Sequence, residues 1–286
     1  MTLSSGCWLV VPVGACCGDQ ARKTPRRPAL PCRPRINAAR PTPAPTPRPA
    51  TKLKLYYHPS PNPAKVALYL EEAGLPYELV PVDTRKGEQH LPAFLAINPN
   101  AKTPALVDGE GAQAITVFDS TAILMYLAEQ CGQFLPPNTP AARAQMLSWM
   151  MLVATGIGPY CGQAVHFKHF APEPKAYAVN RYDFEAWRHW LLVNDRLAQH
   201  HFMLGEAYTL VDMAVWGWAR AIPRILGDGA WSKLPHVKRL LDEVSARPAA
   251  QRVEALKDRF SFKTEMDDAA RQAMFPQNAR LAAGAA

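Results

Sequence analysis

The chain has 286 residues, 48% of them hydrophobic, enough for one large core or two small domains. No stretch of 18 or more apolar residues occurs, which argues against a membrane-spanning helix and leaves no membrane partner expected. Nearly all of the +8 net charge falls in residues 1–50, where eight Arg and Lys face one acid, Asp19. The basic balance therefore says little about the body, and no nucleic-acid partner is expected.

Residues 1–51 carry the Pro/Arg-rich runs TPRRPALPCRPR and RPTPAPTPRPA and have little to bury, so this extension is expected to be disordered. The apolar SSGCWLVVPVGA lacks a preceding basic region and is broken by a proline, unlike a secretory signal. A targeting peptide, a disordered tail and a mis-assigned start all remain open for it. Four of the six cysteines (Cys7, Cys16, Cys17 and Cys32) lie here, while Cys131 and Cys161 fall on different predicted helices. That is no disulfide framework; a reducing compartment fits, and a cytoplasmic protein is expected.

A first domain is expected over residues 52–133. Leu53–Tyr57 reads as a strand, followed by the loop HPSPNPAK and a helix from Ala64 in which Val66, Ala67, Leu70 and Ala73 share a face. Gly74-Leu-Pro76 stops that helix, and YELVPV from Tyr77 is a second strand, so the three make a right-handed βαβ unit. A short irregular helix spans Glu88–Ile97. Thr103-Pro104 then opens a strand, Ala105–Asp108, where a leading proline is tolerated and an X-Pro bond has a real chance of being cis. Asp108-Gly109 turns the chain into the return strand Ile115–Phe118. Asp119-Ser120 then caps a helix carrying Ile123, Leu124, Leu127 and Ala128, and leaves free amides that favour an anion.

A second domain, residues 139–258, is read as all helix. Helices are expected over Ala141–Val153, Tyr177–Ala198, Leu234–Val244 and Ala249–Leu256, with a kink at Gly156-Ile-Gly-Pro159. Thr209-Leu-Val-Asp212 forms a capping box before MAVWGWA. Trp187, Trp190, Trp216 and Trp218 are expected in the helical core. His166-x-x-His169 lacks a third ligand, so no metal is expected. Residues 259–286 read as a surface-wrapping or disordered tail.

The loop at Pro59–Asn62 follows the first strand and so lies at the carboxyl edge of the sheet, where α/β sites form. It holds no cysteine. Ser60 and Asn62 are its polar candidates, either as site residues or as an ordinary cap and turn. Asp119 and Ser120 carry the same two readings.

KTPAL followed by FDSTAILMYL resembles the glutathione-binding half of a glutathione transferase, and the resemblance runs from about Leu53 to Leu256. The SPN loop, KGEQ at 86–89, NPN-K-x-P, GPYCGQAVHF at 158–167 and the segment ending at Tyr182 are most similar to the bacterial Nu class and its fungal nitrogen-regulator relatives. This resemblance implies a thioredoxin-like βαβαββα domain with a cis proline, then an all-helical bundle. It implies glutathione as co-substrate, a small electrophile or disulfide as its reaction partner, and a homodimer. Ser60 and Asn62 would address the glutathione sulfur. Gln89, Lys102, Thr103, Pro104, Asp119 and Ser120 would bind the tripeptide, and Arg181 would reach a second glutathione carboxylate. Lys102 otherwise has a surface role and Arg181 a helix-face ion pair. Ser60 stands where the family more often has Thr, and Asp119 where it more often has Glu. With no loop cysteine, the implied activity is glutathione-dependent transfer or disulfide reduction in which glutathione supplies the reacting sulfur. A non-catalytic regulator of the same fold is the alternative.

Overall fold

The computed structural model describes residues 52–278; the readings for residues 1–51, and for the last eight residues of the tail, lie outside the described residues. Strand β1 (Leu53–Tyr57) buries Leu53, Leu55 and Tyr57 in strict alternation. It pairs in parallel with β2 (Tyr77–Pro81) and antiparallel with β3 (Ala105–Asp108), which pairs antiparallel with β4 (Ile115–Phe118). The resulting order β2-β1-β3-β4 is a thioredoxin-like mixed sheet. Helices α1 (Pro61–Glu72) and α3 (Ser120–Cys131) pack together, joining Val66, Ala67 and Leu70 with Ile123, Leu124 and Leu127 in the main core. A single turn of 3-10 helix at Glu88–His90 leads into α2 (Pro92–Leu95). Phe94 of α2 packs with Tyr56, Val82 and Ala105 in a smaller apolar cluster.

The helical region follows as α4 (Pro140–Met151), α5 (Gly158–His169), α6 (Ala176–Gln199), α7 (Leu210–Ala219), α8 (Ile222–Leu226), α9 (Pro235–Ser245) and α10 (Pro248–Ala255). Every residue of α7 is buried, as an all-round apolar helix requires. Asp212 Oδ2 accepts the Thr209 N–H at 2.8 Å while its Oδ1 takes the Met203 N–H at 2.7 Å, so the capping box also ties down the preceding loop. α7 lies against α1, and every residue of α1 from Pro63 to Leu70 is buried. Arg247 grips Glu72 through two hydrogen bonds, fastening the far end of α1 to the helical region.

The expected kink at Gly156 is a widening: Leu152–Ile157 forms a π-helical segment that joins α4 to α5. Gly156 is required there by close packing, since a Cβ would sit 2.4 Å from the His189 ring. Gly156→Ala should therefore cost about 1–2 kcal/mol of stability, as an added methyl does in a packed core. Denaturant unfolding checks this, and an unchanged midpoint would mean that the ring moves aside freely.

For the tail, wrapping is what the described part does. Residues 260–278, with α11 (Asp268–Met274), return to the first domain as a strap. Arg85 Nη1 donates to the Lys263 and Thr264 carbonyls at 2.8 Å each, and the Lys263 N–H donates to Asp83 Oδ2 at 2.7 Å. Further along, Gln89 Nε2 and His90 Nε2 both donate to the Ala273 carbonyl at 3.1 Å.

Candidate functional site

A cavity of about 330 Å³ opens where the α1 start, the Asn98–Pro104 loop and the first residues of α3 meet the π segment and Trp218. Asn98, 1% exposed, shapes the loop: its Nδ2 donates to the Lys102 carbonyl at 2.6 Å and its Oδ1 accepts the Asn100 N–H at 2.9 Å. The Thr103–Pro104 peptide is cis, and Lys102, Thr103 and Pro104 all line the cavity. A larger cavity of about 540 Å³ shares Lys102, Thr103, Gly162 and Trp218 with the first. It extends past Ser60 and Gln89 to His58, His166 and the strap residue Phe275.

Asn62 lines the smaller cavity and Ser60 the larger. The Trp218 indole N–H donates to Asn62 Oδ1 at 3.0 Å. Because an indole N–H can only donate, that bond fixes the amide oxygen toward Trp218 and leaves the Asn62 NH₂ group as a free donor. Ser60 is the N-cap of α1 in extended conformation, yet its hydroxyl makes no capping bond and only a long 3.4 Å contact to the His58 carbonyl. Pro61 and Pro63 leave Asn62 as the sole residue in positions 61–63 with a backbone N–H. The head of α1 thus offers an anion mostly side-chain donors.

Asp119 is the N-cap of α3 with φ of 68° and ψ of 122°, a positive-φ backbone that lies outside the left-handed helical region. Its Oδ1 accepts the Thr121 and Ala122 N–H groups at 2.8 and 3.2 Å, so the capping reading holds for one oxygen. Oδ2 takes no hydrogen bond among the described residues. Ser120 is 5% exposed and lines the same cavity; Thr121 Oγ1, also lining it, is buried without a partner.

Gln89 is 4% exposed, and its Oε1 is buried and unpaired beside the larger cavity. Arg181 is not brought into either of these cavities; it pairs with Glu185 Oε1 at 3.1 Å on the face of α6. His169 Nε2 donates to the Arg224 carbonyl at 3.0 Å, while His166 lies edge-on to Phe275 with ring centroids 4.7 Å apart. Among the described residues, no group of three or more His, Cys, Asp or Glu is placed to hold a metal ion, and no helix is long and apolar enough to cross a membrane.

Three lining residues escaped the sequence reading: Lys65, His58 and Trp218. Lys65 is 1% exposed on α1, and burial pushes its pKa down to about 8 against the opposing pull of Asp119. His58 Nδ1 donates to the Val82 carbonyl at 3.1 Å, and burial lowers its pKa, which keeps a neutral imidazole beside the larger cavity at pH 7. A lysine inside the run NPAKVALYL was the one available hint for Lys65.

Comparison with known proteins matches residues 59–130 to the glutathione S-transferase N-terminal domain and residues 153–248 to the C-terminal domain. The chain belongs to the glutathione S-transferase family. Among similar glutathione S-transferase-like proteins, the disulfide-bond oxidoreductase YfcG of Escherichia coli K12 is 42% identical over 188 residues, covering 65% of this chain and 86% of that protein. A glutathione transferase family member from Pseudomonas fluorescens, solved with two glutathione bound, has a TM-score of 0.65 and 37% identity over 70% of this chain and 91% of its own. A glutathione transferase from Burkholderia graminis, with two glutathione molecules per subunit, has a TM-score of 0.67 and 35% identity over 73% and 90%.

Proposed function

We propose that the two joined cavities hold glutathione and its reaction partner, and that the protein activates the glutathione thiol for attack on disulfides in preference to other electrophiles. The observation that carries this reading is the Trp218–Asn62 hydrogen bond, which occupies the amide oxygen and leaves its NH₂ as a donor at the smaller cavity, two residues from the weakly engaged Ser60 hydroxyl. A free thiol of pKa ~8.5 is only ~3% thiolate at pH 7, and lowering that pKa by ~2 units takes ~2.7 kcal/mol. With two prolines in its first turn, α1 contributes toward the low end of the roughly 0.3–2 kcal/mol available at a helix N-terminus. Hydrogen bonds from Asn62 and Ser60 to the charged sulfur, at roughly 1.5–3 kcal/mol each, supply the rest.

In the reaction, the thiolate attacks one sulfur of the substrate disulfide. A mixed disulfide forms with glutathione, and the other substrate sulfur leaves as thiolate and takes a proton. A second glutathione thiolate then attacks the mixed disulfide, releasing the remaining substrate thiol and oxidised glutathione. Substrate gains two electrons and the glutathione pair loses two. Thr103, Asp119 and Ser120 hold the first tripeptide, with Lys102 and Gln89 toward its other end. The relatives solved with two glutathione molecules support room for both. Exposed Ile115 and Phe118 on β4, with Phe184, Leu191 and Leu192 on α6, support a homodimer, and the absence of a disulfide among the described residues agrees with a cytoplasmic setting.

Retention on immobilised glutathione, followed by assay of the eluate against a disulfide and a chloronitrobenzene, tests the reading. Retention with faster disulfide reduction is expected; neither retention nor activity would sink it. Cys161 is buried beside Trp190, and burial pushes its thiol up to about 12, so it is a poor nucleophile. Replacing Cys131 and Cys161 together with Ala should leave the reductase rate within about twofold, as distant neutral changes do. Loss of that rate would make a protein thiol the nucleophile.

A further inference from the structure

A third cavity, of about 250 Å³, lies on the side of the β1–α1 loop that faces α7 and α10. It shares Pro59, Ser60, Pro61 and Ala221 with the larger cavity and has no residue in common with the smaller. Tyr57 ends β1 pointing inward, as its alternation with Leu53 and Leu55 requires, and is 3% exposed. It lines this cavity, and its hydroxyl makes no hydrogen bond among the described residues. A buried hydroxyl left without a partner costs stability, so a ligand or water that completes it is favoured.

Charged groups stand beside it. Arg220, one residue past α7, lies over the Trp216 ring at 4.7 Å and gives its Nε and Nη2 to Glu254 of α10. Its Nη1 makes no hydrogen bond among the described residues. Lys257, in the turn after α10, is exposed at the rim with no ion-pair partner among them. Two cations against one carboxylate leave the wall with a single positive charge. Glu254 on that wall repels a doubly charged phosphate more than a singly charged carboxylate. The volume is just below the roughly 300–1,000 Å³ of pockets that take drug-sized ligands, so the occupant is small.

We propose that this cavity binds a small organic carboxylate, with Arg220, Lys257 and the Tyr57 hydroxyl on its charge and Pro59, Pro61 and Val253 around its apolar body. Burial pushes the Tyr57 phenol up to about 12, so the hydroxyl keeps its proton and acts as a donor at pH 7. Ser60 also lines the cavity, and its hydroxyl has one proton to donate. A bound carboxylate therefore draws on the donor assigned above to the glutathione sulfur. That consequence alone rests on the glutathione reading.

Benzoate is the probe, with benzylamine as the same body bearing the opposite charge and inorganic phosphate as an anion without a body. In calorimetric titrations of the whole protein, benzoate should bind at least about tenfold more tightly than either. Tyr57→Phe and Lys257→Met should each weaken benzoate about 3- to 10-fold and leave retention on immobilised glutathione unchanged. Lys257 is exposed, so its variant keeps the fold even if Tyr57→Phe does not. No benzoate binding, a preference for benzylamine or phosphate, or equal benzoate affinity in Lys257→Met and the unaltered protein overturns the proposal. In the disulfide reductase assay, saturating benzoate should lower kcat severalfold at unchanged KM for the disulfide. A raised KM at unchanged kcat would put benzoate in the larger cavity, beside Arg85, Lys102 and Arg224, and overturn the proposal as well. If the protein reduces no disulfide, the proposed function falls and the calorimetric comparison still decides this site.

Discussion

Asn62→Ala is expected to slow disulfide reduction at pH 7 by about 10- to 100-fold, the loss of one hydrogen bond to a charged sulfur. The amide it removes is the one that Trp218 orients, and Pro61 and Pro63 bring no N–H to replace it, which leaves the residue 62 backbone N–H and the Ser60 hydroxyl. The deficit should shrink as pH rises past the free thiol's pKa, because there the sulfur ionises without help. Ser60→Ala should act in the same direction, and the double variant should fall short of additivity if both donors serve one atom. Trp218→Phe should reproduce part of the Asn62 effect by leaving the amide free to rotate. Rate against pH for these variants decides the matter. A deficit for Asn62→Ala that stays constant to high pH would mean that the amide positions substrate and does not stabilise thiolate.

Asp119→Asn should weaken glutathione binding by about 2 kcal/mol, close to 30-fold, through loss of a charge-assisted contact to the γ-glutamyl ammonium. Asparagine is the informative choice. It matches aspartate in shape and keeps an oxygen for the Thr121 and Ala122 N–H groups, so the cap is preserved. Asp119→Ala removes the cap as well and should lose about 1 kcal/mol of stability on top of the binding defect. Comparing melting temperature and calorimetric affinity across the two variants separates the roles of the two carboxylate oxygens. Unchanged affinity in Asp119→Asn would leave Asp119 as a helix cap and nothing more.

The parts of this molecule that were legible in its sequence are those set by near neighbours. Alternation gave β1, turn residues gave the β3–β4 hairpin, and Asp119-Ser120 marked the start of α3, because each depends on residues a few positions apart. The stripe Val66, Ala67, Leu70, Ala73 marks one apolar face of α1, and that spacing gives no sign that Lys65, outside the stripe, is buried too. It is buried because α7 covers the helix's other side from some 150 positions away. The Asn62–Trp218 bond spans 156 residues, and nothing in HPSPNP or MAVWGWA points to the other. Arg181 shows the converse. The family resemblance gives it a ligand role, and the structure pairs its half-exposed side chain with Glu185 on the face of its own helix.

The strap over the larger cavity is fastened in an unusual currency of contacts: the acceptors at Lys263, Thr264 and Ala273, and the donor at Lys263, are all main-chain atoms. Main-chain groups are the same whatever side chain they carry. The bonds to Asp83, Arg85, Gln89 and His90 are therefore indifferent to which side chains the strap carries, while the buried Ala270 and the ring contacts of Phe275 are not. Met274 and Phe275 line the cavity without taking part in those main-chain bonds, although Phe275 also packs against His166 and Phe170. Variation at Met274 would therefore reshape the cavity wall while the main-chain fastening of the strap stays as it is.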